Sequence, residues 1–222
     1  MGNYNYATGD STISLGKESW AEGASSIAIG YKSHAAGGGS VALGQENVSW
    51  GTTNFTAGYQ NTAGDTNAAV GSGGSAVAMG KYNTASADTS MALNRKTTAS
   101  NQAATSMGFG TTADNVGMLA IGVNNAAGIG NTVSGGTAGA YYNTTYNGGP
   151  PEALGLPSGD IGVAFVIGNG DVDVAIDASG NASSPVKGAN PSNAFVVKYD
   201  GSATLAGDLT VNSDARLKSN IV

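Results

Sequence analysis

The chain has 222 residues, 36 of them glycine, with 11% charged residues and a net charge of −6. That balance argues against a nucleic-acid partner, since phosphate binding needs a positive footprint. The lack of cysteine excludes a disulfide framework and thiol chemistry.

Leu, Ile, Val and Phe number 38 of 222, under the ~20% line below which disorder is the expectation. The apolar residues are periodic, however, and regular placement uses a small supply efficiently. The longest apolar run, Val163 to Ile167, is too short to span a bilayer. No membrane insertion is expected.

Residues 1–10 read as a lead with neither the basic segment nor the apolar stretch of a signal peptide. From residue 11 a phrase recurs: bulky apolar, small, bulky apolar, glycine. Ile27-Ala28-Ile29-Gly30 and Val41-Ala42-Leu43-Gly44 are its clearest copies, and Gly16 and Gly58 continue the same fourteen-residue step. Further copies close on Gly71, Gly80, Asn94, Gly110 and Gly122 at unequal steps. The register between Gly58 and Gly80 is open, because Ala68-Ala69-Val70-Gly71 leaves too few residues for a full turn.

Fourteen residues cannot hold a helical hairpin, and dense Gly, Ser, Thr and Asn disfavour helix. Each phrase therefore predicts a short strand. The closing residues Gly16, Gly30, Gly44, Gly58, Gly80, Asn94, Gly110 and Gly122 are expected to turn corners at positive φ, which Asn tolerates best after Gly. A second glycine half a period later (Gly23, Gly37, Gly51, Gly64) marks a second corner.

Two strands and two corners per period describe an all-β parallel roll, or solenoid, with coils about 4.8 Å apart. The bulky pair is expected to fill its interior. Ala28, Ala42, Ala78, Ala92 and Ala120 are expected to form a small face that admits another chain. So thin a roll buries little apolar area against its backbone entropy, and oligomerisation would offset the deficit.

The stretch SSIAIGYKSHAAGGGSVALG resembles the head repeat of YadA-type trimeric autotransporter adhesins, written SVAIG followed by x-x-S-x-A. Ser33 and Ala35 fill its trailing Ser and Ala. The resemblance covers roughly residues 11–122, with the head placed at 11–124. It implies a left-handed parallel β-roll assembled as a homotrimer.

Residues 125–158 read as a Tyr/Gly/Pro-rich connector, marked by Asn147-Gly148 and Pro150-Pro151. Its tyrosines Tyr141, Tyr142 and Tyr146 are either a receptor patch or loop packing, with packing preferred. Residues 159–212 read as short β-hairpin or β-prism segments. Ile161–Ile167 and Asp171–Asp177 are expected to pair across Gly168-Asn169-Gly170, and Ala194–Tyr199 to return through Asp200-Gly201. Asp171, Asp173 and Asp177 could hold an ion, but a solvated face fits their alternation with valine better. No metal and no cofactor are expected.

The ending, residues 213–222, resembles the start of the intramolecular chaperone domain of endosialidases and other phage tail fibres and spikes. The motif is SD-x-RLK-x-NI, read here as SDARLKSNI. In that family the chaperone trimerises the fibre and then cuts itself off. The resemblance implies Ser213 as nucleophile, Lys218 as its base and cleavage before Asp214, with the chaperone body absent from these residues. Apart from that single event, no enzymatic activity is expected.

The first functional expectation is a homotrimeric phage tail fibre or virion attachment protein, assembled with other virion tail proteins, that contacts a host-cell glycan or protein. The alternatives are a bacterial trimeric adhesin head at the cell surface and a passive spacer in a fibre. Candidate receptor contacts are Trp20, Tyr31, Trp50, Tyr59 and Tyr82, whose flat faces can stack on sugars, although packing at corners accounts for them equally. His34 is read as an exposed corner residue.

Overall fold

A computed structural model describes residues 2–67, 69–71, 74–127, 163–173, 186–198 and 203–207. Among them every regular element is a strand. Eight five-residue strands carry the phrase: Ile13–Lys17, Ile27–Tyr31, Val41–Gln45, Phe55–Tyr59, Val77–Lys81, Met91–Arg95, Thr105–Phe109 and Leu119–Val123. Each is parallel to the next and in register, so that Ile27 pairs with Val41 and Gly30 with Gly44. Two-residue strands from Tyr6–Ala7 to Thr112–Ala113 stack into a second parallel sheet of eight strands. The alternation of one long and one short strand per turn is a parallel β-solenoid.

The solenoid begins before residue 11. Gly2–Asn3 pairs with Ile13–Lys17 through Gly2 and Gly16, and Tyr6 pairs with Trp20. The lead thus forms part of a coil.

The interior reverses the sequence expectation. Ala28, Ala42, Ala78, Ala92 and Ala120 are fully buried, as are Ala21, Ala35, Ala63, Ala85, Ala99 and Ala113 on the short strands. The bulky pair points outward: Ile13, Leu15, Ile29, Met79, Met91, Met107 and Leu119 are exposed. The reason is the size of the coil. Two strands closed by tight corners leave room for alanine, serine or threonine, and two branched side chains per turn would overpack it. Alanine also loses no rotamer entropy on burial. Where the small column carries a hydroxyl, a partner is supplied: Ser49 Oγ lies 2.9 Å from Thr56 Oγ1, and Ser106 Oγ lies 2.8 Å from Thr111 Oγ1.

The phrase-closing residues do have positive φ, from +65° at Gly110 through +84° at Asn94 to +129° at Gly30. Most of them lie inside the long strand, however. The glycine column is required because a Cβ on Gly30 would sit 1.8 Å from the Gly44 carbonyl oxygen. The chain turns two residues later, in a column of left-handed residues that includes Glu18, Lys32, Glu46, Gln60, Tyr82 and Lys96. Gly110 belongs to that turning column, and the strand register puts Gly108 opposite Asn94 and Gly122.

The phrase ending on Gly71 is not a coil. Gly58 pairs directly with Gly80, and this turn advances 22 residues where its neighbour advances 14. The surplus lies at the corner, where Gly71 makes an isolated bridge to Gly51.

The expected hairpin across Gly168-Asn169-Gly170 is also replaced. Val163–Asn169 stacks parallel on Leu119–Val123, with Phe165-Val166-Ile167-Gly168 in phrase register. Val166 fills the alanine position and is fully buried. The strand's other edge pairs antiparallel with Asn193–Lys198, which pairs in turn with Ala203–Leu205 as the Asp200-Gly201 hairpin predicts. Val172–Asp173 pairs with Val186–Lys187.

Candidate functional site: an aromatic ladder on the short-strand face

The outward position of the short strands carries Tyr6, Trp20, His34 and Val48 in its first four coils, then Thr62, Thr84, Thr98 and Thr112. Parallel in-register stacking brings the aromatics together, because residues one coil apart become direct neighbours. Tyr6 and Trp20 meet edge to face at 5.3 Å between ring centres, Trp20 and His34 at 5.7 Å, and His34 and Trp50 at 5.9 Å. Edge-to-face contact matches the positive ring edge to the negative face of its neighbour.

Tyr4 is 67% exposed, Tyr6 49% and Trp20 44%. With Glu18, Lys32, Ser33, His34 and Val48 they line an open groove of about 690 Å³. Its charges are paired at the rim. Glu18 lies 3.6 Å from both Lys17 and Lys32, and Glu22 lies 3.1 Å from His34 Nε2. A hydrogen bond with Tyr31, reinforced by Glu18, raises the Lys32 ammonium above its ordinary range.

The other aromatic candidates form a different set. Tyr31 and Tyr59 share one column with Lys17, Gln45 and Lys81, at the end of the long strands. Lys17 and Lys32 sit 5.5 and 5.2 Å from the Tyr31 ring centre, and Lys81 sits 5.0 and 5.1 Å from those of Tyr59 and Tyr82. Tyr59 and Tyr82 meet at 5.3 Å. The Tyr82 hydrogen bond raises the Tyr59 hydroxyl above its ordinary range. This edge continues in Glu46, whose carboxylate accepts from the Gln60 and Gln45 amides and is held below the usual range.

The structure therefore splits the sequence candidates. It brings Trp20 and Trp50 together and leaves Tyr31, Tyr59 and Tyr82 on the corner edge. His34, expected as an exposed corner residue, lies in a short strand between Trp20 and Trp50 and is half buried. Tyr4 and Tyr6 were not anticipated, although Tyr6, Trp20 and His34 repeat at the same step as the glycines. Tyr141, Tyr142, Tyr146, Ser213, Lys218 and Asp177 lie outside the described residues.

A second feature lies inside the roll. Asn47, Asn61 and Asn83 stack as a buried ladder. Asn61 Nδ2 donates to Asn47 Oδ1 at 3.0 Å and to the Gly80 carbonyl at 2.8 Å. Asn83 donates to Asn61 Oδ1 from its backbone N–H at 3.1 Å and from Nδ2 at 3.0 Å. Thr97 continues the chain onto Asn83 Oδ1. These amides satisfy carbonyls that an apolar interior would leave unpaired.

At the far end Asp171 is a latch. Its Oδ1 accepts from the Asn190 N–H at 2.9 Å and its Oδ2 from Asn190 Nδ2 at 2.8 Å, while buried Asn124 donates to the Asp171 and Gly188 carbonyls at 3.1 Å each. The Asn190 side chain, then its backbone, hold the carboxyl below its usual range. Its oxygens are thus already occupied, and no cluster of three or more metal-type ligands occurs among the described residues.

The family model for the YadA head domain repeat matches residues 7–33, 21–47 and 72–93. The first two spans contain Trp20 and His34 of the ladder, and the third covers the coil after the enlarged corner. The chain thus carries repeats that match the YadA head repeat, and they fall on coils of the β-solenoid. No curated protein is matched by the chain.

Proposed function

We propose that this chain is the head of a homotrimeric, non-enzymatic attachment fibre that contacts a host-cell surface. The observation that carries the reading is the outward face of the long-strand sheet. Ile13, Leu15, Ile29, Met79, Met107 and Leu119 form an apolar surface running from coil to coil. A patch of this kind marks a protein interface. A head repeat that offers identical coils to identical partners suits a closed ring of copies, and the resemblance to trimeric adhesins supplies the number three.

Sedimentation equilibrium tests this. The expected mass is three times the 21.7 kDa of the chain. Leu15→Asp with Met79→Asp should reduce it to one chain, because both replace exposed residues of that face. A wild-type chain that stays folded and monomeric at micromolar concentration overturns the proposal.

The fibre is read as a phage tail fibre, on the support of the terminal SDARLKSNI and its likeness to the chaperone opening motif. In that reading the head works beside other tail proteins, and Ser213 and Lys218 perform one self-cleavage. A bacterial cell-surface adhesin is the second reading, favoured by the matched head repeats themselves. The coding sequence after Val222 separates the two: a chaperone body belongs to the first, a membrane-anchoring β-barrel to the second.

A further inference from the structure

We infer that the groove over Tyr4, Tyr6 and Trp20 is a binding site for a short, uncharged saccharide chain. The assignment rests on the attachment reading for its purpose and names the ligand class for that surface.

The first argument is position. The ladder occupies the outer side of the short-strand sheet, and the bulky apolar face lies on the other sheet. Copies packed through the long-strand face therefore leave the ladder open to solvent. A large exposed aromatic surface that assembly does not cover calls for a different partner.

The second argument is chemistry. Flat aromatic faces stack on the C–H faces of sugar rings, and successive rungs repeat along the groove as the residues of an oligosaccharide do. The rim supplies both hydrogen-bonding senses that hydroxyls need: the Glu18 carboxylate accepts and the Lys32 ammonium donates. Small-molecule sites combine apolar walls with a few placed polar groups in this way.

The third argument is charge. The groove lining carries one carboxylate, Glu18, and one ammonium, Lys32, set 3.6 Å apart. No excess of either sign is left to hold a phosphate or a sialic-type carboxylate. A neutral hydroxylated ligand matches a rim whose charges cancel.

The chain's two tryptophans, Trp20 and Trp50, both belong to the ladder, so intrinsic fluorescence reports on this site. The full chain is titrated with cellohexaose, a β-1,4-linked N-acetylglucosamine hexamer and a β-1,3-linked glucose hexamer. Saturable change in emission is expected with at least one, confirmed by calorimetry. Tyr6→Ala should weaken that binding at least about tenfold, as loss of a stacking anchor does, and Thr98→Ala should leave it unchanged.

Adhesion to whole bacterial and epithelial cells is measured on the same proteins. No saturable binding of any hexamer up to millimolar concentration overturns the saccharide site, whatever the adhesion result. Equal binding by wild type and Tyr6→Ala also overturns it, because the sugar then sits elsewhere. Saccharide binding without adhesion to either cell type upholds the groove and counts against attachment.

Discussion

The coils up to Gly64 and the coils from Val77 to Asn125 share one backbone and carry different surfaces. Both halves keep alanine or a small hydroxyl inside, a left-handed residue at each corner, and glycine or Asn94 in the close-approach column. On the short-strand face the first half shows Tyr6, Trp20 and His34, and the second shows Thr84, Thr98 and Thr112. Inward columns and corners hold the coil, and outward columns are free to vary. A property confined to one half therefore belongs to the surface and not to the fold.

The largest expected effect should strike both halves alike. Gly30→Val places a Cβ 1.8 Å from the Gly44 oxygen, and Gly108→Val places one 2.0 Å from the Gly122 oxygen. Neither neighbour is a flexible side chain, so the coils must separate. Each variant should lose about 4 kcal/mol or more, seen as collapse of the cooperative thermal transition followed by circular dichroism. A large loss in one half with tolerance in the other would show that the coils are not equivalent.

This column was also the most legible part of the sequence. A backbone approach that forbids any Cβ leaves glycine at a fixed step, and the step gives the parallel roll directly. The occupant of the interior was not legible. Alternation in Ile27-Ala28-Ile29 says that two faces exist and is silent on which one is inside, since that depends on how far apart the corners hold the sheets. The corners turn on residues such as Lys32 and Glu46, which no simple propensity marks.

Ile161–Ile167 reads as one arm of a hairpin turning at Gly168 because it lies about forty residues beyond Gly122, and an interrupted period carries no step count. Met107-Gly108-Phe109-Gly110 offers two closing glycines, and the fourteen-residue step from Asn94 leads to Gly108. The asparagine ladder is also written in the sequence, since Asn47, Asn61 and Asn83 follow the same steps as Gly44, Gly58 and Gly80.

That ladder gives the intermediate effect; it runs from Asn47 and Asn61 into Asn83 of the second half, so the comparison is between two positions of one column. Asn61→Ala removes an acceptor used by the Asn83 backbone and side chain, and a donor to the Ala57 and Gly80 carbonyls. The buried Asn83 N–H loses its Asn61 acceptor, while Asn83 Nδ2 keeps the Met79 and Asn94 carbonyls, so the loss should be about 2 kcal/mol. In the second half the same column holds Thr111, whose hydroxyl pairs with Ser106 at 2.8 Å. Thr111→Ala should cost about 1 kcal/mol. Urea midpoints at constant m-value read both. Equal losses would mean that the ladder contributes no more than one ordinary hydrogen bond.

The smallest effect bears most directly on what the surface is for. Trp20→Thr installs in the first half what the second half has, and Thr98→Trp does the reverse. Trp20 is 44% exposed and touches Tyr6 and His34 only edge to face. Its removal should cost about 1 kcal/mol, the scale of one or two aromatic contacts, and threonine is itself well suited to a strand. Thr98→Trp adds a ring to an open face and should move stability by less than about 0.5 kcal/mol. Saccharide binding should instead fall steeply in Trp20→Thr and be untouched in Thr98→Trp, because one tryptophan among threonines makes no ladder. Thermal melts beside a calorimetric titration separate the two readouts. If Trp20→Thr unfolded the first half as severely as Gly30→Val, the aromatic column would count as part of the frame, and the division between inward and outward columns would fail where it matters most.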